Sequence, residues 1–156
     1  MTRSETIANL QAAYGPPSQA GFGSAVFCDR TERAEDLEAA ALKRYRYFLG
    51  KTWERFGEEA WMASWRRIYQ RQADRRDIVA ELRSIADPAA RSSAAMLLDA
   101  TADPEAGRRA LAAVYDAAET GTVAVYSLGD GAALSGLLIA GRDRRGETIL
   151  LVFLLD

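Results

Sequence analysis

The spacing of apolar residues changes character near residue 122. Upstream they recur every three or four positions, the period of helices packed on one side. Downstream they form three dense runs, Thr122–Leu128, Ala133–Ala140 and Glu147–Leu155, separated by Gly129-Asp130-Gly131 and by the charged segment Gly141–Gly146. Short runs rich in β-branched and aromatic residues between Gly-bounded turns predict strands.

The helical part divides at its caps. Thr2-Arg3-Ser4-Glu5 has capping-box spacing, Ile7, Leu10 and Tyr14 share one face behind it, and Gly15-Pro16-Pro17 ends the helix. Residues 15–25, GPPSQAGFGSA, are too rich in Gly, Pro and Ser for regular structure. A second helix is expected over Glu32–Leu49, with Leu37, Ala41, Tyr45 and Phe48 as its buried stripe. Thr31 or Asp29 would cap it, and Gly50 would close it. Glu32, Glu35 and Asp36 lie at its positive dipole end, and Lys43, Arg44 and Arg46 at its negative end.

From Thr52 to Ile85 the pattern predicts one long helix or two nearly collinear ones, weakened at Gly57. Trp53, Phe56, Ala60, Trp61, Trp65 and Ile68 form its apolar face, which resumes at Ile78, Val79, Leu82 and Ile85. Asp87-Pro88 and Asp103-Pro104 each place Asp at N-cap and Pro at the first helical position. They open two helices, 88–100 and 104–120.

The expected fold is therefore α+β: about five N-terminal helices followed by a C-terminal three-stranded antiparallel meander packed on the long Trp-bearing helix. It forms one domain over residues 1–156, with residues 1–24 as a helix-and-loop arm of partial mobility. Gly136, within a strand, marks a bulge or a close approach by another backbone. The last strand poses a problem. Ile149, Leu151, Phe153 and Leu155 form one apolar set and Leu150, Val152 and Leu154 the other, yet the strand ends a meander and would lie on an edge. Pairing with a short fourth strand at 25–28, helices on both faces, or a second subunit would each cover it. The last two together are the preferred remedy, with Ile149, Leu151 and Phe153 as the interface of a homodimer.

Composition narrows the chemistry. The chain is 49% hydrophobic and 27% charged, as in ordinary folded proteins, and its net charge of −2 implies no global attraction to polyanions. The charge is uneven, however: residues 43–91 hold twelve Lys/Arg against seven Asp/Glu. The absence of histidine removes Ser-His-Asp and Cys-His catalysis, histidine metal sites and imidazole acid–base work. No cofactor or metal is expected, and no catalytic constellation is recognisable, which leans the reading away from an enzyme without closing it. Cys28 is the only cysteine; no base accompanies it, and it reads as a buried thiol in a reducing compartment. MTRSETIANL lacks the apolar core of a signal peptide, and no run of about 18 apolar residues occurs, so a cytoplasmic protein with no membrane contact is expected.

Four groups could carry function. Arg67, Arg71 and Arg75 fall at i, i+4, i+8 with Trp65 and Tyr69 interleaved, a helix face that could follow phosphates or meet a partner, although Asp74 and Asp77 are placed to neutralise it. Trp61 and Trp65, with Tyr126 from the sheet, could line a ligand pocket, although aromatics at helical spacing usually form core. Gly129-Asp130-Gly131 reads as a turn, and Glu54, Glu58 and Glu59 as a solvated carboxylate set. The leading expectation is a non-enzymatic interaction or assembly module acting as a homodimer with a protein partner. A small-molecule-binding protein or weak enzyme comes second, and nucleic-acid binding through the Arg face third.

Overall fold

The structure is a computed structural model and describes residues 2–155. Helix α1 (Arg3–Tyr14) opens on the capping box, with Glu5 N–H donating to Thr2 Oγ1 at 3.2 Å and Thr2 N–H to Glu5 Oε2 at 3.3 Å. Strand β1 (Gly23–Arg30) follows, twice the length expected of a segment at 25–28. A 3-10 turn at Ala34–Asp36 then leads into α2 (Leu37–Leu49). Neither predicted residue caps α2. The Thr31 hydroxyl bonds that of Thr148 at 3.0 Å, and Asp29 binds Arg44.

The long helix over 52–85 does not form. In its place are α3 (Lys51–Phe56), α4 (Glu58–Met62), strand β2 (Arg66–Gln70) and α5 (Ile78–Arg83). Gly57 separates α3 from α4, and Asp77 starts α5 by accepting from Ala80 N–H at 3.2 Å. Helices α6 (Pro88–Asp99) and α7 (Pro104–Tyr115) carry the Asp caps read from their sequences: Asp87 accepts from Ala90 N–H at 3.0 Å and Asp103 from Ala106 N–H at 3.2 Å. The chain ends in β3 (Thr120–Gly129), β4 (Ser135–Asp143) and β5 (Glu147–Leu155).

The class is α+β, but the expected architecture needs correction. Among the described residues the sheet has five antiparallel strands, in the order β1-β5-β4-β3-β2, and seven α-helices accompany it. The predicted three-stranded meander is only its central part. The helices do not simply precede the strands; α2–α4 join β1 to β2, and α5–α7 join β2 to β3. These two excursions cover opposite faces. Val123, Val125, Leu137, Ile139, Ile149, Leu151 and Phe153 pack against α1, α5, α6 and α7. Ala124, Tyr126, Leu138, Ala140, Leu150, Val152 and Leu154 pack against α2, α3 and α4.

The exposure problem of the last strand is thereby resolved within the chain. β5 lies between β1 and β4, in register from Gly23↔Leu154 to Arg30↔Glu147 on one side and from Ser135↔Leu155 to Arg142↔Thr148 on the other. Both of its apolar sets are covered by helices, each large side chain contributing about 1.5–3 kcal/mol of burial. No second subunit is needed to shield it.

The outer edges are β1 and β2, and each is blunted. Val26 N–H on β1 donates to the Gly15 carbonyl at 3.0 Å, and Gln11 Nε2 reaches the Val26 carbonyl at 3.3 Å. β2 is short and carries Arg66, Arg67 and Gln70, which discourage edge-to-edge pairing.

Gly136 is the close approach its sequence context suggests, because a methyl at that position would run into the Phe153 carbonyl of β5. Gly136→Ala should therefore cost about 1–3 kcal/mol of unfolding free energy through overpacking. Urea denaturation reads this directly, and a variant as stable as the parent would show that β4 and β5 yield without cost.

Candidate binding face at the α2–α3 corner

The aromatic groups read as a ligand pocket are mostly consumed by packing. Trp61 is buried; its Nε1–H donates to the Thr52 carbonyl at 3.0 Å, and its own carbonyl accepts from Tyr45 Oη at 2.9 Å. Trp65 is half-buried and lies parallel to Tyr126, with centroids 4.9 Å apart, and to Tyr45, 5.6 Å apart. Its Nε1–H is held by Glu38 Oε2 at 3.0 Å. Burial pushes the Tyr45 and Tyr126 phenols up to about 12, and both rings are packed within the aromatic cluster. Trp65 and Tyr126 are thus brought together, while Trp61 lies deeper, in edge contact with Phe56. Beside Tyr126 there remains a cleft of about 310 Å³, bounded by Leu37, Glu38, Arg67 and Gln70.

The predicted Arg face is not a helix face. Arg67 lies on β2, Arg71 just beyond it, and Arg75 in the loop before α5. Arg71 is buried, its side chain 4% exposed. It binds Glu81 from Nε at 3.0 Å and from Nη2 at 2.7 Å, Asp116 from Nη2 at 2.8 Å, and the Tyr115 carbonyl from Nη1 at 2.6 Å. The partners anticipated from spacing, Asp74 and Asp77, are not the ones used. Burial raises the Glu81 carboxyl, but hydrogen bonds from Arg71 and Tyr69 outweigh it and hold the group below its ordinary value. Arg71 therefore locks β2 to α5 and to the end of α7.

The remaining sequence candidates serve local structure. Asp130 accepts from Ala132 N–H at 2.9 Å and Leu134 N–H at 3.0 Å, closing the β3–β4 turn. Glu54 lies on α3 and Glu58 and Glu59 on α4, so the break at Gly57 divides the carboxylate set. Among the described residues no group of Asp, Glu or Cys is arranged to hold a metal ion. Cys28 is exposed on β1 rather than buried as expected, and partial desolvation with the neighbouring Glu147 and Asp29 raises its thiol pKa.

An unexpected basic surface forms where α2 meets α3. Gly50 turns the chain there with φ 55° and ψ −126°, a combination open to glycine, and its N–H donates to the Arg46 and Tyr47 carbonyls at 3.1 Å. The Gly/Pro-rich loop closes against this corner through Gly21 N–H donating to the Phe48 carbonyl at 3.0 Å. The result is an open groove of about 860 Å³. Lys43, Arg44, Arg46 and Lys51 line it against a single carboxylate among the described residues, Glu54.

The cations are in distinct states. Asp29 binds Arg44 through two hydrogen bonds and raises its pKa, and the guanidinium sits 5.0 Å from the Phe27 ring centre and 5.4 Å from that of Tyr47. Arg46 lies over Trp53 at 5.5 Å. Lys43, Arg46 and Lys51 have no ion pair among the described residues. Elsewhere arginines are commonly neutralised: Arg3 by Glu147, Arg66 by Asp87, Arg83 and Arg108 by Asp99, and Arg109 by Glu105.

Sequence reasoning assigned Lys43, Arg44 and Arg46 to dipole compensation and overlooked Lys51. One signal was available: the chain has two lysines, and they lie within nine residues on either side of a helix-ending glycine.

Comparison of the chain with protein-family models, with curated proteins and with solved structures finds no match. A second groove, about 620 Å³ between α1 and α7, is lined chiefly by alanines; its Asp103 caps α7 and its Arg109 is paired with Glu105. It offers no converging free charge comparable to that at the α2–α3 corner.

Proposed function

We propose that the protein is a non-enzymatic interaction module that receives an anionic partner at the α2–α3 corner. The observation carrying this reading is the concentration of Lys43, Arg46 and Lys51, without ion pairs among the described residues, in one open groove. An unpaired cation on a groove wall keeps its full Coulombic attraction for an anion and need not first release a carboxylate. The reading retains the interaction module expected from composition and moves its contact surface away from β5. Ile149, Leu151 and Phe153 are occupied in the core beneath α5–α7.

Two features argue against the competing readings. Trp53 and Trp61 fill the space between helices and sheet that a small-molecule pocket would require. Arg71, the middle of the supposed phosphate-following face, is buried and doubly ion-paired. A membrane-spanning role has no support, since among the described residues no helix is long and apolar enough to cross a bilayer.

The test is charge reversal. The parent should be retained on immobilised heparin at low salt, and Lys43→Glu with Lys51→Glu should weaken retention roughly tenfold or more, because each contact contributes through counterion release. Arg33→Glu is the control, since that exposed residue is paired with Glu35 and Asp36 at the far end of α2. Equal loss in the control and the double variant, or no retention of the parent, would remove the assignment.

A further inference from the structure

We infer that the anionic partner is single-stranded nucleic acid, a step that rests on the anion-binding reading above. The additional observation is the placement of exposed rings. Among the described residues the large apolar side chains left exposed are Phe22, Tyr47, Phe56 and Met96; Tyr47 lines the basic groove, and Phe22 and Phe56 lie on the segments that lead into and out of it. Tyr47, 44% exposed, lies on α2 between Arg46 and the end of the helix and lines the groove. Phe56, 58% exposed, ends α3. Phe22, 49% exposed, directly follows Gly21, which is bonded to the α2 end and lies beside Thr52.

Exposed rings incur a solvation cost, and those of Tyr47 and Phe56 are held by neighbouring side chains. Arg44 and the edge of Phe27, 5.8 Å away at 90°, fix the Tyr47 ring. Trp61, 6.1 Å away at 75°, and Arg55 at 5.4 Å fix Phe56.

Cations that track a backbone together with rings that stack bases form the recognition chemistry of single strands. A duplex offers its phosphates without free base faces, so it would use the cations and leave the rings idle. An acidic peptide supplies carboxylates but no large planar groups. A flat bilayer reaches the rim of a concave groove more readily than its cationic wall. The strand therefore fits both halves of the surface: phosphates along Lys43, Arg46 and Lys51, and bases on Tyr47 and Phe22.

Fluorescence anisotropy with a labelled oligo-dT of about ten nucleotides tests this on the full chain. Affinity should fall with salt at a log–log slope near −2, as expected for about three neutralised phosphates on a single strand. Tyr47→Ala and Phe22→Ala should each weaken oligo-dT binding roughly tenfold, a clearly larger factor than either change in heparin retention. Thermal melts of both variants check folding, and Tyr47→Phe should restore affinity because stacking needs the ring and not the hydroxyl.

Three outcomes would overturn the inference: ring variants that bind oligo-dT like the parent, a duplex or poly-glutamate that competes equally well, or ring-dependent binding confined to phosphatidylserine vesicles. Loss of heparin retention in Lys43→Glu with Lys51→Glu, combined with any of these, keeps the anion site and removes only the strand. Absence of heparin retention in the parent removes both.

Discussion

Replacing Arg71 by methionine should destabilise the fold by about 3–5 kcal/mol, the cost of leaving a buried charge without its partner. Glu81 is 1% exposed and loses at once the three hydrogen bonds it receives from Arg71 Nε and Nη2; what remains are Tyr69 Oη and Asp77 N–H, the latter at 3.0 Å. Asp116 keeps Ile78 N–H at 3.0 Å but loses its cation. For a chain of this size the melting temperature should drop by roughly 10 °C.

The pH dependence carries the sign. In the parent, the lowered Glu81 carboxyl contributes stability that is present above its unfolded value of about 4.3 and is lost as pH falls through the folded value. Asp116 acts oppositely. Burial, only partly offset by Ile78 N–H and Arg71, raises its carboxyl, so its contribution is present below its unfolded value and is lost as pH rises through the folded one. In Arg71→Met the cation that lowered Glu81 is gone, so burial makes protonation of Glu81 favour the folded state. The variant's deficit should therefore be largest near about pH 7 and shrink toward about pH 4, measured as urea midpoints at both. A deficit below about 1 kcal/mol at neutral pH would mean the network contributes no more than a surface pair.

How legible such features were depended on whether the signal was local. The Thr2–Glu5 box and the Asp-Pro caps at 87–88 and 103–104 are decided by hydrogen bonds within one turn, and they formed as their spacing implies. The two-faced apolar character of Ile149–Leu155 was equally visible, but its neighbour was not. β1 precedes β5 by more than a hundred residues, and a pairing of that separation is chosen by core packing rather than by either segment alone.

The Thr52–Ile85 stretch misled for a different reason. Trp53, Trp61 and Trp65 happen to sit at helical intervals, but Ile68 and Tyr69 belong to a half-buried edge strand with a register shift between Arg67 and Tyr69. Asp77 before Ile78-Val79 is a readable N-cap that splits the stretch, although its spacing from the arginines equally suggests an ion pair. The basic corner was hidden likewise. The excess charge of residues 43–91 was countable, but which cations stay unpaired follows only once Gly50 bends α2 into α3 and Asp29 engages Arg44.

Trp61→Ala is the second large effect expected, at about 3–5 kcal/mol, because the largest of the fully buried side chains leaves a cavity that short helices cannot collapse into. The loss is more than volume. Trp61 Nε1–H is the donor for the Thr52 carbonyl, which lies on the wall of the basic groove, and the ring supports Phe56 edge-on. Tyr45, which donates to the Trp61 carbonyl, also accepts from Gly129 N–H at 3.2 Å and so ties α4 to the end of β3.

Truncating the indole should loosen α3 and α4 together and lower anion retention as well as the melting temperature. Trp61→Phe separates the two contributions: it keeps much of the buried area but removes the N–H. It should recover most of the stability and leave the Thr52 carbonyl without its donor, a residual deficit of about 1 kcal/mol. Phe56→Ala supplies the baseline, because that ring is more than half exposed and its loss should barely shift the urea midpoint. If Trp61→Ala and Phe56→Ala shift the midpoint equally, Trp61 does not anchor the corner on which the binding face is built.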